Sequence, residues 1–177
     1  MHSIIERHTL MATSSDTTGI DPRGPRFGAG ITAVLLLITI GLGLARPDAS
    51  GSIAERVTEP AFVLLTILTA IFAWGAFAGI RKHPYGLLFA ALIKPRLQPP
   101  SFREPPEPPT FAQLIGFLVS SAGVVLHLAG VPYGLVGAAA AAFIAAFLNS
   151  VFGLCLGCEL YALLVRARLI KPKNLPV

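Results

Sequence analysis

The residues best suited to chemistry are Cys155 and Cys158, in the stretch Phe152-Gly153-Leu154-Cys155-Leu156-Gly157-Cys158-Glu159-Leu160-Tyr161. On a helix, residues at this spacing have Cβ atoms about 5–6 Å apart, within adjustment range of a disulfide. Such a pair can cycle between dithiol and disulfide, pass on an electron pair, or carry a persulfide. The thiolate is the reactive form, so the pair needs a positive field or a base nearby. Arg166 and Arg168 follow the motif, and Arg23 and Arg26 precede the first apolar segment; all four are expected on one side of a membrane and could supply that field. Glu159, nearly on the face of Cys155, would shuttle a proton or disfavour the thiolate by repulsion. The same cysteines are half of a tetrahedral zinc site, with His83 or a second copy's pair as the missing ligands. The plain alternative is packing, because cysteine is small, soft and comfortable in a helix. No strand–helix–strand pattern surrounds the motif, which argues against a thioredoxin fold, and two cysteines are too few for a secreted disulfide framework.

The elements that must position these groups are apolar. The chain is 54% hydrophobic and 13% charged, with a mean hydropathy of +0.70. A soluble domain has about a quarter of its residues charged. The expected class is therefore an all-α integral membrane protein with four transmembrane helices, at residues 27–45, 61–80, 111–130 and 133–165. The first three match the roughly 20 residues needed to cross the hydrocarbon core, where only closed backbone hydrogen bonding survives. The fourth would be about 50 Å long as one helix. It is expected to tilt, break or run on along the surface, with Asn149-Ser150, Gly153 and Gly157 as the cheapest places to break. Residues 27–170 then form one membrane domain. A cleaved signal peptide fits poorly, because a long polar region precedes a long apolar run.

Residues 1–26 read as a flexible tail followed by a stiff lead-in, since Pro22 and Pro25 disfavour helix before them. Met11 is an alternative start to Met1. The connection at 81–110 holds a short apolar run, Leu87 to Ile93, expected to lie at the interface. A Pro-rich stretch follows, read as a stiff extended spacer or as a strap for a partner. Residues 171–177 are a short polar tail. Of the 14 Lys and Arg residues, all but Arg46 and Arg56 fall on one side of the four-span layout. That side is expected to be cytoplasmic and to carry both termini. With a net charge of +5, the partner implied is an anionic lipid surface rather than nucleic acid.

Small residues recur at helical spacing: Ala141, Ala145, Asn149, Gly153 and Gly157 in the last segment; Gly75 and Gly79 in the second; Gly116, Ser120, Gly123 and His127 in the third. Such stripes predict close helix contacts, in a compact bundle or a homo-oligomer. His127 reads as a packing or hydrogen-bonding residue, and Trp74 and Tyr133 as headgroup-level anchors.

Two stretches together, Ile20-Asp21-Pro22-Arg23-Gly24-Pro25-Arg26-Phe27 and the cysteine motif, resemble an uncharacterised family of small bacterial membrane proteins, filed under a domain of unknown function. The likeness spans Asp21 to about Arg168. It implies a C-x-x-C protein of the bacterial inner membrane, with a thioredoxin-like or sulfurtransferase partner in the cytoplasm. The resulting expectation is thiol redox or persulfide exchange through Cys155 and Cys158, with no permanently bound cofactor. The competing expectation is a non-catalytic membrane subunit or scaffold whose cysteines only pack.

Overall fold

The computed structural model describes residues 19–46 and 51–170. The polar tail over 1–18, the choice of start and the tail from 171 lie outside the described residues. Within them the chain is helical, with no strand. The elements are α1 (Arg23–Leu44), α2 (Ile53–Arg56), α3 (Pro60–Ala78), α4 (Pro84–Leu92), α5 (Glu107–Leu128), α6 (Gly134–Phe147) and α7 (Leu156–Arg166). Short 3₁₀ turns flank α4 at Ile80–Lys82 and Lys94–Arg96, and a π-helical turn, Leu148–Phe152, prolongs α6.

Four helices are long and apolar enough to cross a membrane: α1, α3, α5, and α6 with its π turn. They suggest a multi-pass membrane protein. Large apolar side chains also face outward on each, including Leu37, Ile67, Leu118 and Ile144. A helix of a soluble domain keeps one wet polar face; these helices keep apolar side chains outside as well as inside.

The four helices form an antiparallel ring, in which α1 packs on α3 and α6, and α5 packs on α3 and α6. Close approaches fix the directions. A Cβ on Gly43, late in α1, would lie 3.2 Å from Leu135 at the start of α6, and one on Gly30, early in α1, would lie 2.9 Å from Ser150 after its end. Leu36, Leu65, Leu68, Leu135, Ala139 and Ala142 form the core. The third-segment stripe lies where its spacing predicts: Ser120, Gly123 and His127 are buried, and a Cβ on Gly116 would come within 2.6 Å of the Phe72 ring.

The boundaries differ from the sequence expectation at proline and glycine. Helix α1 begins at Arg23, inside the supposed lead-in, with Pro25 in its first turn. Proline is tolerated there because first-turn N–H groups have no intrahelical partner. Pro108 and Pro109 open α5 in the same way, so the proline-rich connection ends in helix. Gly79 (φ 85°) ends α3 instead of joining a helix contact. The run Leu87 to Ile93 is mostly helix α4, which packs on α1 through Phe89, 5.9 Å from the Phe27 ring.

Candidate functional site

The fourth apolar segment is not one helix. Its α-helical turns stop at Phe147, and Gly153 at φ 69° turns the chain toward α7. Glycine suits 153 because the backbone is left-handed there; a Cβ would also meet the Arg26 guanidinium, the movable end of a flexible side chain. Gly153 was one of the expected break points. The break overturns the idea of one continuous small-residue face. Ala141, Ala145, Asn149, Gly153 and Gly157 instead all line a cavity.

Cys155 is the N-cap of α7, with extended backbone (φ −88°, ψ 96°), and Cys158 sits in the first turn. The two form a disulfide with Cα atoms 5.2 Å apart. The sulfur of Cys155 accepts the Cys158 backbone N–H at 3.3 Å. The cysteine pair is thus at a helix N-terminus rather than inside a helix. The partial positive charge of unpaired N–H groups is concentrated there. Gly157, between the cysteines, presses α7 onto α5; a Cβ there would lie 2.6 Å from Ala112 Cα. Both cysteines are half-buried.

Of the four arginines considered for the positive field, only Arg26 faces the break, and among the described residues it has no ion-pair partner. Arg23 is held by Asp21, through Nη2–Oδ2 at 2.7 Å, and donates to the Gln98 carbonyl at 3.0 Å. Arg166 stands at the opposite end of α7 and Arg168 just beyond it, roughly 16 Å or more along the chain at 1.5 Å per residue. Glu159 is in the first turn of α7 beside the pair, and its carboxylate is exposed.

The cavity holds about 740 Å³, within the usual range for small-molecule sites. Phe72, Ile115, Val119, Ala142 and Ala146 give it apolar walls between α3, α5 and α6. The lead-in closes one side: Ile20 and Glu104 exchange backbone hydrogen bonds at 2.8 and 3.0 Å, and Arg103 donates to the Gly19 carbonyl at 3.3 Å. The proline-rich connection is therefore tied to the N-terminal lead-in beside the cysteine pair.

His83 and Gln113 also line this cavity. His83 caps α4: its Nδ1 accepts the Tyr85 backbone N–H at 3.3 Å, and the residue is 4% exposed. Burial pushes its imidazole below the ordinary histidine range. With Nδ1 accepting, the neutral ring carries its proton on Nε2, and that buried atom has no hydrogen-bond partner. The amide oxygen of Gln113 is likewise buried and unpartnered. Both side chains crowd Gly75, where a Cβ would lie 2.7 Å from each. Sequence reading had weighed His83 only as a zinc ligand; no group of three His, Cys, Asp or Glu able to hold a metal occurs among the described residues. It missed Gln113, for which no local pattern exists.

At the other end of the bundle lies a second polar group. Glu59, 6% exposed, precedes α3, and its Oε2 is 3.4 Å from His127 Nε2, close enough for an ion pair but not aligned as a hydrogen bond. His127 stacks on Phe62 at 5.4 Å. Arg56 donates to the Leu128 and Gly51 carbonyls, both at 2.8 Å. The cavity there is only about 10 Å³.

The family model described as "Domain of unknown function (DUF4395)" matches residues 20–166. No curated protein and no solved structure matches the chain.

Proposed function

The chain belongs to this family of unknown function, and from that premise and the geometry of the site we propose that it is a membrane thiol–disulfide exchange protein. The observation that carries this reading is the Cys155–Cys158 disulfide at the N-terminus of α7, on the wall of a cavity beside Arg26. A thiolate gains most from a helix N-terminus at the cap itself, so Cys155 is the attacking sulfur of the reduced form. The Cys158 N–H that it accepts supports the same assignment. Cys155 thiolate attacks one sulfur of a partner disulfide; that bond breaks and the other partner sulfur leaves as thiolate. Cys158 then attacks Cys155 in the mixed disulfide and frees the second partner thiol. The partner gains two electrons and the pair closes; the exchange is reversible, so a partner dithiol attacking the closed pair returns two electrons and reopens it as the dithiol. In this reading Glu159, the next residue after Cys158 in the first turn of α7, takes the Cys158 proton. The cysteine end faces the cytoplasm in this reading, with both termini, in keeping with the Lys and Arg distribution. The partner there is thioredoxin-like or a sulfurtransferase.

One experiment tests both parts. Reduced membranes are treated with an impermeant maleimide, from either side, across a series of redox buffers. The expected result is labelling from the cytoplasmic side only, with both thiols lost together in one two-electron step. Labelling from the outer side overturns the orientation; thiols that stay free in oxidising buffer overturn the exchange reading.

A further inference from the structure

Two polar atoms of the side chains that line the cavity beside the cysteines have no partner in the fold. We infer that the cavity binds a membrane quinone and that the quinone is the electron acceptor for the Cys155–Cys158 dithiol; this rests on the thiol-exchange reading of the same pair. Two buried polar atoms, His83 Nε2 and Gln113 Oε1, have no partner, and both belong to side chains lining the cavity. Leaving buried polar groups unpaired is costly, and folded chains keep few of them. Each side chain is on the cavity wall, so a small rotation brings its unpaired atom to an occupant that supplies the missing bond. The chemistry on offer is one neutral donor, His83 Nε2–H, and one neutral acceptor, the Gln113 amide oxygen, which suits a ring oxygen that is a carbonyl when oxidised and a hydroxyl when reduced better than an anion. The remaining walls are apolar and come from the membrane-crossing helices. An apolar ring with two oxygens that alternate between carbonyl and hydroxyl fits both features.

The step balances within these components. The Cys155 thiolate adds to a ring carbon of the quinone. The Cys158 sulfur then attacks Cys155, the S–S bond forms, and the C–S bond breaks with its electron pair passing to the ring. The two protons released by the thiols end on the two quinone oxygens, giving hydroquinone. His83 Nε2–H holds one of those oxygens and is a positioning group for the ring.

The test uses the full chain in lipid nanodiscs. Binding is read on the doubly substituted Cys155→Ser/Cys158→Ser chain with a decyl-substituted benzoquinone, by quenching of Trp74. This is the protein's single tryptophan, and its indole donates to the Lys82 carbonyl next to His83. Electron transfer is read on the reduced wild type without oxygen, as hydroquinone formed per thiol pair lost. Saturable quenching and one hydroquinone per disulfide are expected. His83→Asn keeps a cap for α4 but removes the ring donor, and should weaken binding about tenfold, as loss of one buried hydrogen bond does. Gln113→Leu should weaken binding of the hydroquinone similarly, since only the reduced ring has a hydroxyl to donate to the amide oxygen, and decides the matter if His83→Asn does not fold. If the pair cycles with small thiols but no saturable quenching occurs, the quinone site is wrong and thiol exchange stands. If quinone binds but the reduced pair passes it no electrons while still cycling with small thiols, the acceptor role is wrong. If the pair does not cycle with any oxidant, the exchange reading itself falls.

Discussion

The two ends of the bundle surround their buried polar groups with very different amounts of space. At the Glu59 end, the carboxylate lies 3.4 Å from His127 Nε2, and Arg56 donates to two backbone carbonyls although its Nε, like His127 Nε2, makes no hydrogen bond; the space there is about 10 Å³, room for about one water. At the cysteine end, the buried His83 Nε2 and Gln113 Oε1 also lack partners, but their side chains belong to the wall of a cavity of about 740 Å³. Both ends are built from the same antiparallel helices. The difference comes from where the chain leaves the helix. At the Glu59 end, α5 and α6 are joined by a tight turn, and the Gly134 backbone lies against Leu126. At the cysteine end, α6 stops short, the π turn and Gly153 swing the chain aside, and α7 packs on the outside of α5. The closed end has room for little beyond its own side chains, whereas the open end has room for a small molecule beside the disulfide, which is the feature the proposed binding role rests on.

The largest effect should come from attacking the break that opens the cysteine end. Gly153→Leu must adopt left-handed backbone and displace Arg26. Together these should cost about 3 kcal/mol, the sum of a left-handed side-chain residue and local overpacking. A lower melting temperature in detergent is expected, with changed alkylation rates at Cys155. Wild-type melting would mean that the chain can turn at this point without glycine, and the contrast between the ends would lose its cause.

A smaller effect is expected at the closed end. Glu59→Leu leaves His127 buried without its partner, which should cost about 2 kcal/mol. Thermal unfolding measures the loss, and the redox midpoint of the cysteine pair should not move. A shifted midpoint with unchanged stability would reverse the assignment of the two ends, making the Glu59 end the functional one.

Much of this was legible in the sequence. The spans stand out because charge-free runs of helical length have few other fates, and the third-segment stripe was legible because α5 is unbroken from Gly116 to His127. The fourth stripe misled, since spacing of four describes one face only while the helix lasts, and the chain leaves α-helical geometry after Phe147. The start of α1 was hidden by Pro22 and Pro25, which break a helix interior but suit a first turn. Glu59 escaped notice because it stands just ahead of an apolar run rather than in it. The cysteine pair was evident from spacing, but its place at a helix N-terminus depended on the break. His83 and Gln113 meet through long-range packing, which no local pattern encodes.

The smallest effect concerns the strap that closes the cavity. Asp21 bonds Arg23, and Arg23 in turn reaches the carbonyl of Gln98, so one carboxylate helps tie the lead-in to the proline-rich connection. The hydrogen bond from Arg23 holds the Asp21 carboxyl below the usual aspartate range, against the opposing effect of burial. Its folded-state value is thus lower than its unfolded value, about 3.9. A depressed carboxylate contributes stability that is fully present above the unfolded value and is lost as pH falls through the folded one. Asp21→Asn removes that contribution at any pH. The gap in melting temperature between wild type and Asp21→Asn should therefore be constant from about pH 7 to pH 5 and narrow below about pH 4. The exposed side of the pair keeps the gap small. If the strap serves the cysteine end, the same variant should also quicken alkylation of the reduced cysteines at neutral pH, while Glu59→Leu should not. A gap that widens in acid would mean that Asp21 is not the stabilised carboxylate, and unchanged alkylation would leave the strap as a tie for the lead-in alone.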